Sequence, residues 1–126
     1  MKKALSLLAV LCLALSATAC VHISNEHYYE RAQRRLGCGE YEEAAELFGQ
    51  LGEYRDSAEY ALYTAALEAI DRKDYALARA NLTQLGSFKS SERYLRYLDA
   101  VEAEKASQWE TALSIFEQLG SFCDSE

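Results

Sequence analysis

Apolar residues recur at spacings of three and four positions along most of the chain, which is the periodicity of amphipathic helices rather than of strands. The clearest stripe lies between Glu40 and Ser57. Its apolar positions are Tyr41, Ala44, Ala45, Leu47, Phe48 and Leu51. Gly52 follows directly, and a glycine just past the last apolar position is typical of a helix end. No stretch shows the alternation of a strand, so the pattern predicts an all-α protein.

This stretch occurs three times. Its second and third copies begin at Asp74 and Gln108, so the offset is the same both times and there is no insertion or deletion. A second apolar stripe links successive copies, which predicts a repeating unit of helix, turn, helix and turn, with Gly39, Lys73 or Ser107 in the first turn. The units are expected at about 25–58, 59–92 and 93–126. Asp56 and Ser90 are expected to cap the helices that follow them, and Glu59 stands at capping-box spacing from Asp56. A fixed period of this kind indicates a repeat architecture.

The unit resembles the tetratricopeptide repeat (TPR), which places a helix pair in about 34 residues, the same period as here. Small residues occur at the family's helix-crossing positions, namely Ala32, Ala66 and Ala100 in the first helix and Ala44, Ala78 and Ala112 in the second. Large residues occur at two further family positions of the second helix, namely Tyr41, Tyr75 and Trp109 at its opening and Phe48, Leu82 and Phe116 later. The chain has no proline, and its L-G-x-[YF]-x-[DS]-S turn is similar to a variant common in envelope proteins of Gram-positive bacteria. The resemblance implies a right-handed α-solenoid of three helix-turn-helix units over residues 25–126.

In that family the first helices line a concave groove that binds proteins or peptides. The resemblance assigns groove positions to Tyr29, Tyr60, Tyr63, Leu67, Tyr94, Tyr97 and Val101. A polar margin is expected from Gln33, Asp71, Glu104 and Lys105. Tyrosine suits such a surface because its ring gives a large, rigid contact area with a polar tip. The alternative is that the rings pack between successive first helices and contact no ligand.

The first 19 residues have the features of a secretory signal: Lys2 and Lys3, an apolar run, and small residues before a cut. Cys20 follows, and the arrangement resembles the lipobox of bacterial lipoproteins, although Ala17 stands where that family usually has leucine. The resemblance implies a lipidated Cys20, a short tether over residues 20–24 and a position on the outer face of the cell membrane. The alternatives are ordinary cleavage, which gives a soluble secreted protein with a plain Cys20, and a retained anchor, since residues 4–21 carry no charge.

The charge balance excludes some partners. The chain has 13 Lys and Arg and 20 Asp and Glu, for a net charge of −7. Loss of Lys2 and Lys3 with the signal leaves 11 basic and 20 acidic residues and a net charge of −9. Nucleic acids and anionic lipid surfaces both attract basic proteins, so neither is expected as a partner.

The sequence offers little to catalysis. His22 and His27 are the only histidines, are five residues apart, and do not share a helix face; His22 is expected to precede the first helix. We therefore expect no metal and no cofactor. The acidic run Glu40, Glu42, Glu43 and Glu46 is expected on a solvated helix face. The chain contains no Gly-rich phosphate loop, no G-x-S-x-G and no C-x-x-C, so we expect a protein that is not an enzyme.

Residues 122–126 match the start of the turn and the cap that precede a further helix, with Asp124-Ser125 at the cap. If no helix follows, several apolar residues near this end are expected to be partly exposed: Leu98, Trp109, Leu113 and Phe116. The chain is then either a truncated product or covered there by a second copy or another partner. This gives an alternative function, an assembly or spacer subunit of a larger cell-envelope enzyme or sensor. Cys38 and Cys123 would lie at opposite ends of the stack and are expected as free thiols.

Overall fold

A computed structural model describes residues 2–122, apart from the side chains at positions 2, 4 and 5. This part of the chain forms helices joined by short turns and contains no strand, which confirms the all-α prediction. The helices are α1 (Lys2–Gly37), α2 (Tyr41–Leu51), α3 (Ser57–Asp71), α4 (Tyr75–Leu85), α5 (Ser91–Lys105) and α6 (Trp109–Leu119).

Helix lengths alternate along the chain. α2, α4 and α6 each have 11 residues, and α3 and α5 each have 15. Equivalent helices begin at the offset of the sequence repeat, as the starts of α3 at Ser57 and of α5 at Ser91 show. Each helix from α2 to α5 packs against the helix before it and the helix after it in the chain. Contacts between helices are therefore made mainly by helices that are consecutive in the chain.

The turns repeat because equivalent positions of the repeat adopt left-handed conformations in each of them. Gly52, Gly86 and Gly120 end α2, α4 and α6 with φ of 57°, 59° and 59°, a region that glycine enters without a Cβ penalty. The turns before α2, α4 and α6 have φ of 75° at Gly39, 60° at Lys73 and 59° at Ser107, as expected for that turn position. Lys73 and Ser107 carry side chains in this region, which is uncommon for non-glycine residues.

The predicted side-chain caps at Asp56 and Ser90 are wrong. Both residues precede a helix, but neither side chain forms a capping hydrogen bond, so the capping box with Glu59 is not formed. Asp56 has φ −96° and ψ 28°, outside the extended region from which a cap side chain reaches the helix N–H groups. Its Oδ1 instead accepts a hydrogen bond of 2.6 Å from the Tyr29 hydroxyl on α1. The cap at Asp124-Ser125 lies outside the described residues.

The core of the described residues consists of alanines and large apolar or aromatic side chains in similar number. All six alanines at the expected crossing positions are buried. Phe48, Leu82 and Leu98 are the largest fully buried apolar side chains. Because alanine has a short side chain, neighbouring helices approach closely at these points and the large residues fill the space between them.

α1 is one uninterrupted helix of 36 residues. The expectation that His22 precedes the first helix is therefore wrong, and residues 20–24 are helical. The apolar run consists of good helix formers, and no glycine or proline lies between position 2 and Gly37 to end the helix. The part from Ser6 to Gly37 is long and apolar enough to cross a membrane, and none of its apolar window is buried. A signal sequence at a chain start has the same properties.

Candidate functional site

One stripe of α3 lines a cleft between the α1–α2 turn and the α4–α5 turn. Tyr60, Tyr63, Leu67 and Asp71 follow one another at helical spacings of three and four on a single face. They line a cleft of about 750 Å³. The remaining lining residues lie around the α1–α2 turn and the α4–α5 turn: Leu36, Gly37, Cys38, Gly39, Tyr41, Lys89 and Ser90. Four of the predicted groove and margin residues are thus brought together.

The tyrosines of this stripe present little of their surface to solvent. Tyr60 is 5% exposed and Tyr63 is 7% exposed. Tyr60 stacks on Phe48 of α2 with a centroid distance of 4.9 Å and an interplanar angle of 11°. Phe88 places its edge against both rings, at 5.1 Å from Tyr60 and 6.0 Å from Tyr63. Each ring therefore packs in the core and offers only part of its surface to the cleft.

Aromatic contacts also join successive first helices. Tyr29 on α1 lies 6.4 Å from Tyr60 on α3, and Tyr63 on α3 lies 6.2 Å from Tyr94 on α5. Phe122 lies 4.8 Å from Tyr94. The tyrosine rings therefore contact one another across α1, α3 and α5. Their contact with a ligand stays a prediction.

The other predicted groove residues do not line this cleft. Tyr94 and Val101 are buried in the core, and Tyr29 and Tyr97 are half-buried. Tyr97 lies at 6.1 Å from Phe116 on α6. Of the predicted polar margin, only Asp71 borders the cleft. Lys105 instead places its Nζ 4.6 Å from the ring centroid of Tyr75, and Gln33 and Glu104 are not part of the cleft wall.

Sequence reasoning missed a pair of cations. Lys89 Nζ lies 5.1 Å from the centroid of Tyr60, and the Arg55 guanidinium lies 5.2 Å from that of Tyr29. Arg55 and Lys89 hold equivalent positions in successive units, and both have positive φ, 50° and 51°. A hydrogen bond to the Tyr60 hydroxyl raises the pKa of Lys89, so its ammonium group is charged at neutral pH. The repeat spacing of basic residues in a turn was the available signal.

The α2–α3 turn is tied to α1 by tyrosine–carboxylate hydrogen bonds. Burial and then the hydrogen bond to Asp56 raise the pKa of Tyr29 to about 12. The Tyr54 hydroxyl donates to Glu26, and this hydrogen bond raises the pKa of Tyr54. Glu26 also forms an ion pair with Arg55 at 2.9 Å. These contacts attach the turn that precedes α3 to the first helix.

The remaining candidate groups lie apart from the cleft or are dispersed. Within residues 2–122, no three or more His, Cys, Asp or Glu side chains are arranged to hold a metal ion. The thiols of Cys12, Cys20 and Cys38 are free and exposed, and Cys38 alone lines the cleft. Cys123 lies outside the described residues.

The acidic run on α2 has the solvated position that the sequence predicts. Glu40, Glu42 and Glu46 are exposed. Glu43 is half-buried and forms ion pairs with Arg31 at 2.9 Å and Arg35 at 3.3 Å. The run therefore contributes surface charge and contacts with α1.

Comparison of the chain with protein-family models, with curated proteins and with solved structures finds no match. The resemblance to tetratricopeptide proteins therefore stays a prediction that rests on the chain's own sequence repeats.

Replacing Tyr29 by phenylalanine is expected to destabilise the fold by about 1 kcal/mol near pH 8, because the hydrogen bond to Asp56 is lost. The folded-state pKa of about 12 exceeds the ordinary value of 10.0, so the folded chain retains a proton that the unfolded chain releases. This contribution is complete below pH 10 and is lost as the pH rises toward 12. The Tyr29→Phe variant should therefore lose less of its unfolding free energy than the wild type as the pH rises from 10 to 12. Urea unfolding at a series of pH values measures this difference.

Tyr28→Phe is the matched control, because Tyr28 is the neighbouring residue and its ring is 42% exposed. It should leave the unfolding midpoint unchanged at every pH. An alkaline decline that is identical in wild type and Tyr29→Phe would contradict the assigned role of Tyr29.

Proposed function

We propose that this chain is an exported, lipid-anchored, TPR-like scaffold of a bacterial envelope that binds a segment of a protein or peptide without catalysing a reaction. In this proposal α1 to α6 form a right-handed α-solenoid of three units, with α1, α3 and α5 on the concave side. The observation that carries the proposal is the cleft on α3, because four residues that the family resemblance assigns to the groove or to its polar margin line it together.

The cleft has the chemistry of a peptide site. Its floor is aromatic and aliphatic, from Tyr60, Tyr63 and Leu67, and its rim carries one ammonium group at Lys89 and one carboxylate at Asp71. The cleft wall exposes polar as well as apolar surface, and its volume of about 750 Å³ lies within the usual range of binding pockets. Because the rings are already packed, the floor would lose little conformational freedom on binding.

A lipid on Cys20 would place the scaffold directly at the membrane surface. Cys20 is exposed on α1, and only two residues later the His22 ring lies 6.0 Å from Tyr54 of the α2–α3 turn. The folded part thus begins almost at the proposed anchor. A single exposed apolar helix at the chain start is compatible with export, whereas the lipid itself is part of the proposal.

The anchor is tested by the intact mass of the protein extracted from membranes of an expressing bacterium. We expect a chain that begins at Cys20 and carries the added mass of a diacylglycerol group. A Cys20→Ala variant should lack this mass and lose processing at this site. An unlipidated chain from the secreted fraction, or a membrane chain that begins at Met1, would contradict lipid anchoring and favour secretion or a retained anchor respectively.

Binding in the cleft is tested by photo-crosslinking in the native host. A photoreactive amino acid placed at Asp71 or at Lys89, which are both at the rim, should capture the same discrete partner. The matched control is the same amino acid at Glu46, which is exposed on α2 and does not line the cleft. A binding role for the cleft would be contradicted if neither rim position gave an adduct. It would also be contradicted if the control position gave the same adducts as the rim positions.

A second candidate function, an assembly or spacer subunit that docks through its C-terminal end, is favoured by exposed apolar residues on α6. Trp109 and Leu113 are both more than half exposed. The expectation that Leu98 is partly exposed is wrong, because this residue of α5 is buried in the core. Ile115 is also buried, and Phe116 is half-buried. The apolar surface at this end is therefore confined to one face of α6.

A further inference from the structure

The face of α6 that contains Trp109, Leu113 and Phe116 is called the end face. These positions are four and three residues apart, so they form one row along the helix. Trp109 is 61% exposed and Leu113 is 60% exposed. Adjacent large apolar residues in solvent are typical of interaction surfaces rather than of scattered surface residues.

The chain itself contains a covered version of this face on α4. Tyr75 and Arg79 are the counterparts of Trp109 and Leu113 in the preceding unit, and α5 packs against α4. Lys105 Nζ lies 4.6 Å from the Tyr75 ring centroid. The Arg79 guanidinium binds Asp99 at 3.0 Å and Glu102 at 3.1 Å. A 15-residue helix thus covers the row on α4 that corresponds to the end face.

α2 shows the same arrangement. Phe48 is equivalent to Phe116, and it stacks on Tyr60 in the first turn of α3. The turn after α6 also has the geometry of the earlier turns, because Phe122 lies 4.8 Å from Tyr94 as Phe88 lies 5.1 Å from Tyr60. The end face therefore continues a series of helix interfaces that the chain builds twice.

A second copy of the chain is a poor occupant in the head-to-tail arrangement. The first helix that it would offer is α1. At the positions where α3 has Tyr60, Thr64 and Leu67, α1 has Glu26, Glu30 and Gln33. Placing these carboxylates against Trp109 and Leu113 would bury charge without a partner, which is strongly unfavourable.

We propose that the end face binds an amphipathic helix of another protein, with an aromatic residue in its first turn and a small, uncharged residue at the position where α5 has Asp99. The second requirement follows from Leu113, which stands on α6 where α4 has Arg79. A carboxylate at the position of Asp99 would therefore face leucine and would have no guanidinium group to pair with. α3 meets both requirements, because it has Tyr60 in its first turn and Ala65 at the position of Asp99. Its Glu68 stands at the position of Glu102, whose side chain is 63% exposed on α5 although it also contacts Arg79, so a carboxylate there remains in solvent. Exclusion of an acidic residue gives the face selectivity as well as affinity.

This inference goes beyond cleft binding and supplies the partner chemistry for the second candidate function. Its residues on α6 are absent from the cleft wall, so failure of one proposal leaves the other standing.

The probe is a peptide with the sequence of residues 56–71, acetylated and amidated at its ends. A hydrocarbon staple between positions 58 and 62 holds it helical, since isolated helices of this length are marginal. Trp109 is the only tryptophan, so its emission reports on the end face alone. With the full chain in phosphatidylcholine vesicles, the peptide should shift the Trp109 emission to shorter wavelength in a saturable way. The same peptide with Ala65→Asp should bind about tenfold more weakly, because it places a charge against Leu113.

A charge swap makes the test specific to this face. In a Leu113→Arg variant the order should reverse, so that the Ala65→Asp peptide binds more tightly than the unaltered peptide, as Arg79 binds Asp99 within the chain. Leu77→Arg is the control variant, since Leu77 is also exposed but lies on α4 away from the end face; it should keep the original order. Absence of a shift, or equal affinities of the two peptides for every variant, would overturn the proposal. The Trp109 emission could instead shift without peptide when the protein concentration is raised, together with a doubling of the protein's molecular mass. That result would assign the end face to a second copy of the chain and would also overturn the proposal.

Discussion

The stack of Phe48 on Tyr60 is the contact on which the rest of the structure depends. Its centroid distance of 4.9 Å and nearly parallel planes join α2 to α3. The same tyrosine meets Tyr29 of the preceding first helix and Phe88 of the following turn. Aromatic pairs contribute about 0.5–1.5 kcal/mol each beyond the burial of their area. Because one ring contacts elements before and after it, Tyr60 sets the spacing between successive helices and forms part of the cleft floor.

Small side chains make that contact reachable. Ala44 on α2 and Ala66 on α3 are fully buried, and α2 packs against α3. Short side chains let neighbouring helices approach closely, so large rings such as Phe48 and Tyr60 can meet beside them. The glycines at 52 and 86 then reverse the chain within a few residues. Alanine, glycine and aromatic positions thus form one system that recurs in every unit, and the cleft on α3 and the end face on α6 both follow from it.

Much of the fold could be predicted from the sequence because the unit repeats without insertion. The starts of α2, α4 and α6 at Tyr41, Tyr75 and Trp109 follow directly from the apolar stripe. The side-chain contacts between successive units could not be predicted from the apolar pattern. The sequence predicts that Asp56 caps α3, but its carboxylate is used by Tyr29, 27 residues earlier. Lys89 lines the cleft because its turn adopts a left-handed conformation, which composition alone did not indicate. His22 is helical because no glycine or proline separates the apolar N-terminal run from residues 25–37.

Tyr60, Tyr63 and Tyr94 are buried parts of the helix packing, so the floor of the cleft is rigid and its side chains are not free. Tyrosine nitration followed by mass spectrometry of the folded chain tests this packing most directly. Tyr28, which is 42% exposed, should react readily, whereas Tyr60, Tyr63 and Tyr94 should stay protected until the chain is unfolded with urea. Nitration of Tyr63 and Tyr94 in the folded chain at the rate of Tyr28 would contradict the account, because the rings would then be free and the floor of the cleft would not exist.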